Sequence, residues 1–123
     1  MTPTPTISLE EFFAGAPDAR ALHQAVADMV AGLGGADQRV TKSQVAFRRR
    51  RGFAYTWRPG QYVRSDVPLV LSLALPERVD SPRFASVVHP APHVWMHHLE
   101  LTDVAQLDDE VRGLLARAWA ASM

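Results

Sequence analysis

Apolar residues change their spacing twice along this chain, and that change sets the fold class. After Asp18 they fall three or four positions apart, at Leu22, Val26, Met29, Val30 and Leu33. This spacing places them on one face of a helix. From Val45 they alternate instead: Val45 and Phe47, then Phe53, Tyr55 and Trp57, then Leu69, Leu71, Leu73 and Leu75. Alternation marks strands with one buried face, and it puts Phe53, Tyr55 and Trp57 together on one side. Helical spacing returns at Leu107, Val111, Leu114, Leu115, Ala118 and Trp119. Helices before and after a run of strands predict an α+β fold. The expected architecture is an antiparallel sheet of four to five strands, two long helices packed on one face and a short N-terminal helix.

Local signals punctuate this order. Ser8 with Glu11 forms a capping box, so a short helix runs through Phe12 and Phe13 until Gly15 and Pro17 break it. Pro17 suits the first position of the next helix, and Gly34 and Gly35 stop that helix. Gly52, at the end of Arg49 to Gly52, marks a hairpin between two strands. Val40 and Thr41 add a short strand before the hairpin. Val70 and Ala74 make the Leu69–Leu75 strand apolar on both faces, which argues for a central position. The Pro-rich stretch from Asp80 to Pro92 reads as loop with at most one turn near Phe84, and His93 to Leu101 reads as the last strand. Asp103 with Gln106 marks the start of the final helix, whose first turn carries Asp108, Asp109 and Glu110. Residues 1–7 are expected to form a disordered or extended tail, and residues 8–123 a single domain.

Several function classes are excluded by composition. There is no cysteine, so a disulfide framework, a thiolate metal site and a cysteine nucleophile are ruled out. No apolar run approaches the ~20 residues of a membrane helix. Met1 to Thr6 lacks the basic and apolar regions of a secretory signal. The expectation is a cytoplasmic protein without a membrane partner.

Four pieces in order carry a family likeness. They are Thr41 to Ala54, including Arg48-Arg49-Arg50-Arg51-Gly52-Phe53; Leu71-Ser72-Leu73 with Leu75-Pro76; Trp95-Met96-His97-His98; and Leu107-Asp108-Asp109-Glu110-Val111. With Phe13-Ala14-Gly15 and the helix after it, they resemble a bacterial family known as domain of unknown function 5655. The likeness runs from about Leu9 to the end of the chain. It implies a small α+β domain, in some members joined to another small domain, and it carries no catalytic residue.

Charge supplies the functional signal. The chain has 13 basic and 13 acidic side chains, yet eight basic residues and no acid lie between Arg39 and Arg64. Phe47, Phe53, Tyr55, Trp57 and Tyr62 are interleaved with them. Guanidinium forks bind phosphate or carboxylate, and aromatic rings stack on unpaired bases. The candidate ligand-binding residues are therefore Arg48, Arg49, Arg50, Arg51, Trp57 and Arg58. The candidate partner is nucleic acid or a small phosphorylated ligand. Against this stands a structural role: the aromatics as core, and the arginines paired with Asp108, Asp109 and Glu110. Twelve of the thirteen basic residues are arginine, which also fits a GC-rich genome.

Other residues offer less. His89, His93, His97 and His98 crowd together, but on a strand His93 and His97 stand about 13 Å apart and His97 and His98 point to opposite faces. No metal site or cofactor is expected. His98 and Glu100 share a strand face as a candidate acid–base pair, with His97 nearby in sequence. No nucleophile elbow, Walker loop or dinucleotide fingerprint is present, so no catalytic residue is assigned and a binding domain is favoured over an enzyme. The alternative is a module that docks on another protein or on a second copy of itself through an apolar patch or a sheet edge.

Overall fold

Ser8 Oγ accepts from the Glu11 N–H at 3.0 Å, and the Glu11 carboxylate accepts from the Ser8 N–H at 3.4 Å. This capping box opens α1 (Leu9–Phe12). The coordinates are a computed structural model that describes residues 7–61 and 63–123. The tail expected over residues 1–7 lies outside the described residues except for Ile7, and so does Tyr62 of the basic-aromatic segment. Ile7 donates its N–H to the Val40 carbonyl at 3.4 Å.

α2 (Pro17–Leu33) has Pro17 at its first position and ends at Gly34, whose φ of 132° suits glycine. It buries Ala19, Leu22, His23, Val26 and Val30. Among the described residues six strands follow: β1 (Asp37–Val40), β2 (Val45–Arg48), β3 (Gly52–Trp57), β4 (Leu69–Leu75), β5 (Ser86–Ala91) and β6 (Val94–Leu101). They form one antiparallel sheet in the order β1-β2-β3-β4-β6-β5. α3 (Asp109–Ala121) then packs beside α2 on the sheet. Among the described residues no helix is long and apolar enough to cross a membrane.

The sheet is wider than the four to five strands expected. β5 lies inside the stretch read as loop. It is an edge strand whose side chains are mostly exposed, so it needs no alternating apolar pattern. Pro90 is tolerated there, and the register shifts between Val88 and Ala91 beside it. β1 is the other edge. It spans Asp37–Val40 rather than Val40 and Thr41, and its first three residues are exposed. The final helix also starts later than expected. The Asp103–Gln106 box closes a separate 3₁₀ turn, Val104–Gln106, and Asp108 caps α3 by accepting from the Val111 N–H at 3.2 Å.

A bulge redirects β3. Phe47 stands opposite Ala54 and Arg48 opposite Gly52, so Phe53 has no partner in the ladder. Phe53 is buried in the core at 1% exposure. Beyond it, Ala54 and Thr56 face the helices, and Tyr55 and Trp57 face the other way. The simple alternation that grouped Phe53 with Tyr55 and Trp57 is broken by this one residue. The core therefore joins Phe12, Phe47, Phe53, Leu71, Leu73 and Leu115 under the helices. His23 sits among them. Its Nε2 donates to Gln38 Oε1 at 3.0 Å and its Nδ1 accepts from Thr56 Oγ1 at 2.8 Å. Burial pushes its pKa below the ordinary 6.5, and nearby Arg20 adds to that, outweighing the Gln38 hydrogen bond.

Candidate functional site

The β2–β3 turn gathers four arginines because Arg48 closes one strand and Gly52 opens the next. Their side chains then diverge. Arg49 lies over the Trp119 ring, 3.6 Å from its centre, and donates through Nη1 to the Trp119 carbonyl at 2.8 Å. Arg51 donates its backbone N–H to the Ser122 carbonyl at 3.2 Å and Nη2 to the Met123 carbonyl at 3.5 Å. Both answer carbonyls at the C-terminal end of α3, where the helix leaves acceptors and a negative dipole end. Arg50 is exposed at the turn. Arg58 stands just past the opposite end of β3 and donates to the Phe12 carbonyl at 3.0 Å. Trp57 belongs to the face away from the helices, where its Nε1 donates to Ser72 Oγ at 3.0 Å. The six candidate residues thus do not form one surface. Arg49 and Arg58 hold backbone carbonyls in place, while Arg48 and Arg51 line a cleft.

The acids of α3 are not partners of these arginines. Arg83 holds Asp108 at 2.7 Å and Glu110 at 3.3 Å, and donates to the Gln106 carbonyl at 2.6 Å. The Arg83 hydrogen bond pulls the Asp108 carboxyl below its usual pKa, helped by the Val111 N–H. Among the described residues, ion pairs are made by Arg78 and Arg83. Asp37 faces Arg48 across the strands without forming an ion pair.

The cleft has a volume of about 380 Å³ and lies at the hairpin end of the sheet. Arg48, Arg51, Tyr55, His93, Met96 and Ser122 contribute to its wall, and no carboxylate does. Tyr55 reaches back over Gly52, so that a Cβ on Gly52 would collide with the tyrosine hydroxyl. The missing side chain lets the phenol lie against the turn. A second depression of about 320 Å³ lies on the sheet face that the helices leave bare. Gln44, Tyr55, Trp57, Ser72, Met96 and His98 line it. Tyr55 and Met96 border both, so the two hollows adjoin.

A short relay organises that face. Ser72 Oγ is 2.6 Å from His98 Nδ1, and the Trp57 and His98 rings meet edge-on at 6.3 Å. The serine accepts from Trp57 Nε1 and shares a hydrogen bond with His98 Nδ1, so one hydroxyl serves both neighbours. Burial lowers the His98 pKa, and His97 adds to the effect. His98 is therefore neutral near pH 7.

His97 and Glu100 do not join His98 in a catalytic group. His97 faces the core at 0% exposure. Its Nε2 accepts from the Val79 N–H and its Nδ1 donates to the Trp95 carbonyl, each at 2.9 Å. A backbone amide only donates and a carbonyl only accepts, so the ring is neutral and pins the segment after β4. Desolvation lowers its pKa accordingly. Glu100 shares the His98 face but lies opposite Val70, at the end far from the hairpin. His89 stacks on Trp95 with the ring centres 3.7 Å apart. Among the described residues no three His, Asp or Glu side chains converge as a metal would require.

Sequence reading missed Gln44, Tyr55, Ser72, Met96 and His93 as members of a site. The available signal was Ser72, the polar residue within Leu69–Leu75. No curated protein and no solved structure matches the chain. A family model described as Domain of unknown function (DUF5655) matches residues 9–122. That span covers α1, the bulged hairpin, the bare sheet face and α3, and the chain belongs to the DUF5655 family.

Proposed function

We propose that this domain binds a small phosphorylated ligand, whose phosphate lies in the cleft between Arg48 and Arg51. The observation that carries the reading is a cleft lined by two arginines and a histidine, with no aspartate or glutamate in its wall. Guanidinium forks match phosphate oxygens in charge and in hydrogen-bond geometry. Ser122, at the C-terminal end of α3, also borders the cleft. The Arg49 side chain and the Arg51 N–H answer carbonyls there, which tempers the negative potential of the helix end. A small ligand fits better than a long nucleic acid. Arg49 and Arg58 are committed to backbone carbonyls at 2.8 and 3.0 Å, closer than the 3.5 Å at which Arg51 reaches Met123, and a polyanion needs an extended basic track.

Calorimetric titration with inorganic phosphate and pyrophosphate at low salt tests the reading. Binding is expected, weaker at high salt, and lost in Arg48→Ser and in Arg51→Ser. Arg50→Ser, outside the cleft wall, is expected to bind as the parent does. No heat from either anion at low salt, or full affinity in both cleft variants, overturns the assignment. Salt-independent self-association through the bare sheet face would instead favour the docking module.

A further inference from the structure

The hollow on the bare sheet face adjoins the phosphate cleft at Tyr55 and Met96, and its chemistry selects the rest of the ligand. We propose that the ligand is a nucleotide, with its base on the Trp57–His98 face and its phosphate between Arg48 and Arg51. This rests on the phosphate reading and adds the chemical class of the molecule.

Three features support a base on this face. Ser72 takes the Trp57 Nε1–H, so the indole has its ring rather than its donor left to offer a ligand. Tyr55 and Trp57 lie two residues apart on β3, about 7 Å along the strand. Tyr55, nearer the turn, borders both hollows, and Trp57, farther along, borders the base position alone. The polar groups suit the edge of a heterocycle. Ser72 engages His98 Nδ1 and leaves Nε2 without a protein partner among the described residues, and the Gln44 carboxamide supplies both a donor and an acceptor. An aliphatic phosphate would use neither the rings nor these groups. Charge agrees with the orientation: the arginines lie at the turn end of the face, and Glu100 at the other end.

The test compares adenosine 5′-monophosphate, uridine 5′-monophosphate, adenosine and inorganic phosphate by calorimetry, with the Trp57 indole N–H followed by NMR. Stacking is expected to make the nucleotides at least about tenfold tighter than inorganic phosphate. Their addition should shift the Trp57 signal, and phosphate alone should not. Trp57→Leu should bring nucleotide affinity down to that of phosphate and leave phosphate affinity intact. Trp57→Phe, which keeps a ring, should restore most of the difference. If phosphate binds and the nucleotides bind no tighter, the nucleotide assignment fails while the phosphate reading stands. If adenosine binds as tightly as its monophosphate, or if none of the four binds, the phosphate reading fails and the nucleotide assignment with it.

Discussion

Arg49 and Trp119 hold each other through two contacts at once, a guanidinium over the indole at 3.6 Å and a bond from Nη1 to the tryptophan carbonyl at 2.8 Å. Trp119 is also fixed from the α2 side. Its Nε1 donates to the Gly35 carbonyl at 3.0 Å, and a Cβ on Gly34 would stand 2.7 Å from the ring. The glycine pair that ends α2 thus doubles as the seat for a residue of α3, and the hairpin closes over the top.

Arg49→Met is expected to lower stability by about 1–2 kcal/mol, because it loses a partly desolvated cation–π contact and a charged hydrogen bond. Urea unfolding reads the loss. Affinity for phosphate should fall less than in Arg48→Ser or Arg51→Ser, since Arg49 does not line the cleft and acts there only by tempering the helix end. A variant that unfolds normally but no longer binds would return Arg49 to the site.

Stability should fall as the solution is acidified below about pH 6.5. His23, His97 and His98 all have folded pKa values below the ordinary 6.5. Between the unfolded and the folded values the unfolded chain binds more protons, so stability is complete above 6.5 and drains away as pH falls. Each histidine contributes at most about 1.4 kcal/mol per pH unit within its window. Urea midpoints at pH 7.5 and 5.5 measure the slope. His97→Gln should flatten it, and an unchanged slope would mean that His97 is not a buried neutral group.

Gly52→Ala is expected to destabilise by roughly 1–3 kcal/mol, as an overpacked site does. The added methyl meets the Tyr55 hydroxyl, with the ring carbon Cζ only 3.0 Å away. Either the phenol swings out of the cleft or the hairpin opens. Gly52→Ala combined with Tyr55→Phe should recover part of the loss, measured by the same unfolding curves.

Ser72→Ala removes the acceptor of the Trp57 indole and the partner of His98. Leaving those groups without the 3%-exposed hydroxyl should cost about 1–3 kcal/mol. The Trp57 indole resonance should move even without ligand. An unmoved resonance would mean that the relay does not form in solution.

Much of this architecture is written in local spacing. The capping box at Ser8, the stop at Gly34 and the stripe from Val111 to Ala118 are each set by residues a few positions apart, and each appears where the sequence puts it. β5 was not legible, and β1 only at its last residue, because edge strands take their hydrogen bonds from a neighbour and need no buried face. The site was half legible. The arginine run identified the hairpin, yet the fate of each guanidinium depends on which carbonyls α1 and α3 leave open. Those carbonyls lie 70 residues from Arg49 and 46 from Arg58. Alternation groups Tyr55 and Trp57 with Phe53, and only the bulge, which the spacing does not reveal, sends the two rings to the face away from the helices.

The unpaired Phe53 makes the count of residues around the turn matter as a reading frame does. With the extra residue present, every later position of β3 shows the helices one side chain and the outside the next. Remove it without a compensating change and the strand presents its two sets to the wrong neighbours, sending two large rings toward α2 and α3. Length variation among family members should therefore collect in the segments after β4 and before β5, and leave the stretch from Arg48 to Ala54 at constant length.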